Sequence, residues 1–249
     1  MRFIHPKGLL VAALLTTLPL WAAERTGILL TTDQQEGTKA QRLEWKKIKN
    51  VQDEVMKTLQ SGNKYHLKHF KHQEGLPFVM IVSCADSRVP PETVFHLQPR
   101  EAFVNRAYGN VVDKDILASL EYGALHMDCR VLVVMGHKRC TAIKGAMDEY
   151  AHPRTEDQWQ SLNEKALYER LEPSVAEVKE SQKQTTIQTG KEFTDDELWE
   201  AVVKTNILKT MHDIRQQSPI LWGLEQKDLL KIVGCIYDLD TGKVEWIKE

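Results

Sequence analysis

Apolar residues in this chain fall into short continuous runs that alternate with longer periodic stretches. Two runs, residues 78–82 and 131–135, are rich in aliphatic side chains and contain no polar position. Such runs are typical of strands buried on both faces of a parallel sheet. Residues 102–104 form a shorter run between them, and residues 232–237 form another near the end of the chain. We expect all four segments to be strands.

The periodic stretches predict helices between the strands. The first has apolar residues at three- and four-residue spacing, with Asp115 as its expected N-cap: Leu117, Leu120, Ala124 and Met127. A helix that connects two parallel strands implies a right-handed crossover. A later helix follows a capping box of Thr194 and Glu197 and carries one apolar stripe: Val203, Ile207, Met211 and Ile214.

The last third of the chain completes the predicted architecture. Residues 151–193 form a polar insert with one expected helix, at 167–178, and no recognisable chemistry. Ser218 and Pro219 begin a short helix. Strand 232–237 then turns through residues 238–242 into strand 243–247, a hairpin at the edge of the sheet. The fold class predicted is α/β, with a mostly parallel β-sheet flanked by helices and a C-terminal edge hairpin.

The first residues differ from the rest. Arg2 and Lys7 precede fifteen uncharged, mostly apolar residues, 8–22. This pattern predicts a signal peptide at residues 1–23, cleaved near Ala22 or Ala23. The alternative is an uncleaved anchor, although the stretch is shorter than the about 20 residues that span a bilayer. We therefore expect residues 24–249 to form a single domain, periplasmic or secreted, with no membrane contact after cleavage.

Three histidines follow a helical pattern at residues 39–59. His66, His69 and His72 are spaced three residues apart and could share one face of a helix. That face would either attract a metal or simply be solvated. The second interpretation is favoured, because no acidic residue or thiol completes a ligand set.

Net charge and motif content exclude some classes of function. The formal net charge is −2, and no basic run with interleaved aromatic residues is present. These features give no reason to expect nucleic acid as a partner. The chain also has no Gly-x-Gly-x-x-Gly or Walker loop, so a nucleotide-binding domain has little support.

Two segments carry the candidate chemistry, residues 84–92 and 136–140. Each begins where a predicted strand ends, so both should meet in one crevice beyond the carboxyl ends of the strands. Cys84, His137 and Cys140 would supply two thiolates and an imidazole. Three such ligands leave the fourth position of a zinc ion open, as in catalytic sites, although Asp86 could fill it. The alternative is two core thiols, a hydrogen-bonded loop histidine and a surface ion pair of Asp86 and Arg88.

The other two cysteines lie at or within apolar strand-like segments. Cys129 and Cys235 could form disulfides in an oxidising compartment. We expect buried free thiols instead, because their surroundings are those of small core residues.

Residues 77–147 resemble the β-class carbonic anhydrase family. The resemblance rests on Cys-x-Asp-Ser-Arg-Val-x-x-Glu at residues 84–92, Ser-Leu-Glu-Tyr at 119–122 and Gly-His-x-x-Cys at 136–140. Weaker similarity covers residues 218–221 and the hairpin at 237–242.

The resemblance implies a zinc enzyme that hydrates carbon dioxide reversibly to bicarbonate and a proton. It makes Cys84, His137 and Cys140 the zinc ligands, and Asp86 and Arg88 a catalytic dyad. In that scheme Asp86 accepts a hydrogen bond from zinc-bound hydroxide, and Arg88 keeps the carboxylate ionised and oriented. The resemblance also implies a homodimer, or a homotetramer built from two dimers.

Three positions depart from the family pattern. Tyr108 stands where members commonly have Ala, Thr141 where many have Gly, and Gly75 where many plant-type members have Gln. We expect Tyr108 to fill volume in the core or at a dimer interface. Thr141 and Gly75 bear on the shape of the pocket and on substrate positioning, and leave the ligands unchanged.

Two other functions remain open on the sequence. The first is hydrolysis of carbon disulfide or carbonyl sulfide on the same fold, which only an assay of both substrates separates from carbon dioxide hydration. The second is a non-enzymatic zinc carrier or zinc-stabilised binding protein. Storage needs ligands but no carboxylate held by an arginine, so the presence of Asp86 and Arg88 favours an enzyme.

Overall fold

The computed structural model describes Gln60 and residues 76–248 apart from residue 128. Residues 76–248 belong to a compact unit spanning Gln73–Glu249. The predicted signal peptide, the helical pattern at 39–59, the three spaced histidines and Gly75 all lie outside the described residues. None of the helices in the described part is both long and apolar enough to cross a membrane.

The described residues form one five-stranded sheet, in the order β2-β1-β3-β4-β5. Strands β1 to β4 are parallel, and β5 pairs antiparallel with β4 at the edge. The mostly parallel sheet with an edge hairpin is thereby confirmed. The strands are β1 Val79–Cys84, β2 Ala102–Ala107, β3 Val131–His137, β4 Lys231–Tyr237 and β5 Val244–Trp246.

Six α-helices and one short 3₁₀ turn connect the strands. They are α1 Pro91–Val94, α2 Lys114–His126, α3 Thr141–Ala151, the turn Glu156–Gln158, α4 Leu162–Thr189, α5 Asp195–Gln217 and α6 Pro219–Gln226. Helix α5 packs on β3 and β4, and its predicted apolar stripe is buried. The capping box of Thr194 and Glu197 begins α5 as expected.

The cap of α2 and the end of β2 differ from the sequence prediction. Helix α2 is capped by Asp113, whose carboxylate accepts the backbone N–H groups of Asp115 and Ile116, so Asp115 as the cap is wrong. Strand β2 extends three residues beyond the predicted 102–104. Those residues are polar or small and partly exposed, and they are held in the sheet by pairing with the end of β1 through Cys84.

The polar insert contributes to the core. Helix α4 is longer than the predicted 167–178 and packs against α3 and α5. Only one short stretch of the helix is buried, through Leu171, Ser174, Val175 and Val178. The sparse apolar positions explain why the sequence pattern detected only the middle of the helix.

The strand order places a topological switch point beside β1. The chain leaves β1 for β2 on one side and returns to β3 on the other. Connections that diverge in this way open a crevice at the carboxyl ends of the two central strands, where ligands of α/β proteins bind. The last residues of β1 and β3 are Cys84 and His137.

Two glycines allow α5 to lie close to the sheet. A Cβ on Gly136 would lie 2.7 Å from Cδ1 of Ile207, and one on Gly234 would lie 2.8 Å from Cγ2 of the same residue. Because Ile207 is fully buried, it has little room to move.

This contact makes a testable prediction about stability. Gly136→Ala and Gly234→Ala should each lower the free energy of unfolding by about 1–3 kcal/mol through overpacking. Ile207→Val removes Cδ1 but keeps Cγ2. It should therefore partly offset the destabilisation caused by Gly136→Ala, and it should not offset the destabilisation caused by Gly234→Ala. Urea unfolding of the single and double variants measures this difference. If the effects of Ile207→Val and of the glycine substitution simply add in both double variants, the proposed contacts of Ile207 with the two glycines are wrong.

Candidate metal centre

The three predicted ligands meet at the carboxyl end of the sheet. Cys84 ends β1 and His137 ends the neighbouring parallel strand β3. Cys140 follows after two residues and is the N-cap of α3. The strand register therefore brings together residues that are 53 positions apart (137 − 84).

The spacing of these side chains fits a metal ion. Their ligand atoms all lie within 4.8 Å of one another, and the three residues are buried. The sulfur atoms of Cys84 and Cys140 are 3.9 Å apart. Two thiolates on one tetrahedral zinc ion would be separated by about 3.8 Å, given Zn–S bonds of about 2.3 Å. The donor set of two sulfurs and one imidazole is also one that zinc prefers.

The imidazole of His137 is oriented for coordination. Its Nδ1 lies 2.9 Å from the carbonyl oxygen of Lys138, a contact that assigns the ring proton to Nδ1. Nε2 is buried and has no hydrogen-bond partner among the residues that the structure describes. A buried nitrogen without a partner is costly, and a metal ligand has this arrangement. Nε2 therefore carries the lone pair for the ion.

The thiols of Cys84 and Cys140 oppose each other's ionisation, so both lose their protons only when a cation lies between them. The contact with Cys140 lowers the pKa of Cys84, and hydrogen bonds from the backbone N–H groups of Gly109 and Asp86 lower it further. The same sulfur–sulfur contact raises the pKa of Cys140, and burial raises it further. A dication between the sulfurs would remove this opposition and deprotonate both.

Asp86 and Arg88 form a tight ion pair beside the three ligands. Arg88 Nε donates to Asp86 Oδ1 at 3.0 Å, Nη2 donates to Oδ2 at 2.7 Å, and the backbone N–H of Arg88 donates to Oδ1 at 2.9 Å. These hydrogen bonds hold the pKa of the Asp86 carboxyl far below its usual range. Asp86 Oδ2 also lies 3.9 Å from His137 Nε2. The two residues that the resemblance implies as a dyad are therefore paired with each other and lie beside the cluster.

Sequence reasoning missed a second arginine that shapes this loop. Arg106, near the end of β2, donates from Nε to the carbonyl oxygen of Cys84 at 2.9 Å and from Nη2 to that of Asp86 at 2.5 Å. The guanidinium thus fixes the backbone of the ligand and of the carboxylate together. Its position two residues before Tyr108, close to the Tyr-Gly-Asn turn, was an available signal.

Helix α5 and the edge hairpin hold the loop between His137 and Cys140. Lys138 pairs with Glu200 at 3.2 Å and with Asp238 at 3.5 Å. Trp199 Nε1 donates to the carbonyl oxygen of Cys140 at 3.1 Å. Trp199 and Glu200 come from a distant segment in which the sequence analysis found no chemical motif, so the sequence offered no signal for these contacts.

Two departures from the expected pattern are in contact. The hydroxyl of Tyr108 donates to Thr141 Oγ1 at 2.7 Å. Tyr108 is 37% exposed. It therefore does not fill volume in the core of this chain, which was one of the two roles expected for it.

The remaining cysteines are separate from the cluster. Cys129 and Cys235 are buried and form no disulfide, as predicted. Burial raises the pKa of Cys235 to about 12, so this thiol stays protonated and unreactive.

Comparison with known proteins gives consistent results. A family model described as carbonic anhydrase matches residues 79–244. Carbonic anhydrase 2 of Mycobacterium tuberculosis is 32% identical over 109 residues, which are 41% of this chain and 51% of that protein. The carbonic anhydrase of Mycolicibacterium smegmatis is 29% identical over 172 residues, 68% of this chain and 74% of that protein. The match to the first relative thus spans about half of its length.

Solved structures share the fold. One of two tetrameric β-carbonic anhydrases from the ascomycete Sordaria macrospora superposes with a TM-score of 0.64 at 19% identity, covering 80% of this chain and 98% of that chain. A Coccomyxa β-carbonic anhydrase in complex with acetazolamide has a TM-score of 0.56 at 23% identity, covering 81% and 85%. With the family model matching from β1 to β5, these comparisons show that the chain belongs to the β-carbonic anhydrase family.

Proposed function

We propose that this protein catalyses the reversible hydration of carbon dioxide to bicarbonate and a proton, with zinc held by Cys84, His137 and Cys140. Support comes from the family, from the mutual spacing of the ligand atoms and from the buried Nε2 without a partner. Bound zinc supplies a Lewis acid that makes water nucleophilic near neutral pH, and two thiolate ligands weaken that acidity relative to three imidazoles.

The observation that carries the proposal is the ion pair of Asp86 and Arg88 beside the ligands. A carboxylate held by three hydrogen bonds from one arginine is ionised and has a fixed direction. With Oδ2 3.9 Å from His137 Nε2, Asp86 can accept a hydrogen bond from a reacting water and orient it. Arg88 also keeps this carboxylate from turning onto the metal. A protein that only stores zinc has no use for such an arrangement.

Stopped-flow measurement of carbon dioxide hydration, with zinc content determined on the same sample, tests the proposal. Activity proportional to bound zinc is the expected result. The same sample assayed with carbon disulfide and carbonyl sulfide addresses the alternative on this fold. Hydrolysis of either without hydration of carbon dioxide would reassign the substrate, and bound zinc without any turnover would indicate a carrier.

The pH dependence of activity is a further prediction. We expect kcat/KM to rise as the pH increases from about 6 to about 9, because thiolate ligation weakens the acidity that zinc confers on water. Asp86 cannot cause this rise. Hydrogen bonds from Arg88 hold its pKa far below that range, so it stays ionised throughout. Initial rates of hydration in buffers of constant ionic strength measure the profile, and a flat profile would contradict the expectation.

The site of action and the assembly are also proposals. We propose that the protein is exported, periplasmic or secreted, and forms a homodimer or homotetramer. The charged start and the uncharged stretch of residues 1–23 support export. A structural neighbour described as tetrameric supports assembly. N-terminal sequencing of the protein from its native host would identify cleavage, and light scattering would give the oligomer mass.

A further inference from the structure

The contact between Tyr108 and Thr141 links two segments that surround the ligand thiols. The hydroxyl–hydroxyl distance is 2.7 Å, and the two residues are 33 positions apart. Tyr108 belongs to the turn that follows β2, and Thr141 is the first residue of α3. Neither side chain touches a ligand atom in any contact that the structure records.

Each of the two residues lies next in the chain to a group at the pair of thiols. Gly109, next to Tyr108, donates its N–H to Cys84 Sγ at 3.3 Å. Cys140, next to Thr141, is the N-cap of α3, so its position depends on that of the first turn of the helix. A backbone donor such as the N–H of Gly109 stabilises sulfur in its anionic form, the form that binds a metal.

The backbones of the two segments are already close. Gly109 has φ +81°, and a Cβ there would lie 3.2 Å from the Cβ of Ala142 and 3.2 Å from two methyl carbons of Leu171. On another side, Asn206 Nδ2 donates to the carbonyl oxygen of Gly109 at 2.9 Å. The turn is therefore also held by packing and by side-chain hydrogen bonds from α5 to its carbonyl oxygens. The Tyr108 hydroxyl adds the only recorded side-chain hydrogen bond from the turn to α3 among the described residues.

We infer that Tyr108 and Thr141 are a positioning pair that holds Cys84 and its N–H donor at a fixed separation from Cys140 and thereby slows the release of zinc. The inference rests on the zinc site proposed above. It assigns a role to two residues that the family pattern leaves unexplained. A hydrogen bond between the segments lowers the chance that Cys84 and its donor move away from Cys140, a movement that would begin ligand dissociation.

Transfer of zinc from the holoprotein to a chromophoric chelator tests the pair. Tyr108→Phe and Thr141→Val remove the hydrogen bond with little change in volume, and each should accelerate zinc release about tenfold, the lower end of the effect of outer-shell partners. The double variant should release zinc no faster than either single variant, because one interaction is lost in all three. Thr141→Ser keeps the hydroxyl and should release zinc at the wild-type rate.

Tyr150→Phe is the matched control. Tyr150 is exposed to a similar extent, 40% against 37% for Tyr108, and has no recorded hydrogen bond in the described structure. Wild-type release by Tyr150→Phe is expected. The absorption bands of the cobalt-substituted protein provide a readout independent of activity, and they should change in Tyr108→Phe and stay unchanged in Tyr150→Phe.

The experiment distinguishes a failure of the positioning role from a failure of the proposed function. If wild-type protein binds zinc and Tyr108→Phe releases it at the wild-type rate, the positioning role is wrong and the proposed zinc site stands. Additive effects in the double variant would likewise overturn the inference, because they would indicate two independent packing losses. If wild-type protein binds no zinc, the proposed function is overturned, and the positioning role with it.

Discussion

Asp86→Asn is expected to lower kcat/KM for carbon dioxide hydration by about 100-fold while zinc remains bound. The amide replaces one acceptor oxygen with a donor, which would face the donors of Arg88. The side chain therefore loses its charge and its fixed direction, while the three ligands are unchanged. Stopped-flow rates and zinc content on the same preparation measure the two effects separately.

Asp148→Asn is a suitable control for this substitution. Asp148 lies on α3, is largely exposed and pairs only with Lys144 in the recorded contacts, so turnover should stay at the wild-type level. Arg88→Lys should give an intermediate loss, because lysine keeps the charge but cannot donate from two nitrogen atoms in one plane. Wild-type rates for Asp86→Asn would remove the dyad from the mechanism.

Cys84→Ser is expected to abolish stable zinc binding, and turnover with it. The substitution replaces a thiolate with a hydroxyl that stays protonated near neutral pH, so only Cys140 and His137 remain as ligands. The affinity for zinc should fall by more than about 100-fold, since losing a ligand costs more than losing an outer-shell partner. Competition with a chelator of known affinity measures the change.

Cys129→Ser makes the same chemical change outside the cluster. Cys129 is also buried, and its Sγ donates to the carbonyl oxygen of Pro77 at 3.2 Å, a bond that a serine hydroxyl can replace. Zinc content and activity should stay near wild type. Equal zinc loss in both variants would mean that unfolding, rather than the missing ligand, explains the result for Cys84→Ser.

Much of this site was predictable from the sequence because its determinants are local. Cys84 and His137 each follow a buried aliphatic run, and the carboxyl ends of parallel strands meet. The pair of Asp86 and Arg88 is separated by two positions, so a turn is enough to join them. The capping box at Thr194 is equally local, and it was also predicted correctly.

The errors occur where local signals compete or are weak. One aspartate precedes α2 and another lies in its first turn, and the spacing of apolar positions did not distinguish Asp113 from Asp115 as the cap. Strand β2 and helix α4 continue through residues with little apolar content, so their ends depend on pairing and packing with other elements. Propensity and periodicity carry no information about such support.

For this protein, the sequence by itself determined the fold class and the meeting of the three predicted ligands in one crevice, since both follow from short-range pattern and strand polarity. The dyad was implied by the family resemblance, and its catalytic role stays a prediction. The tertiary structure alone decided how the ligands are supported. Trp199 reaches Cys140 across 59 positions, Arg106 reaches Cys84 across 22, and Tyr108 reaches Thr141 across 33. These hydrogen bonds depend on distances between separately folded segments, and such distances are set by the packing of the whole core rather than by any local stretch of chain.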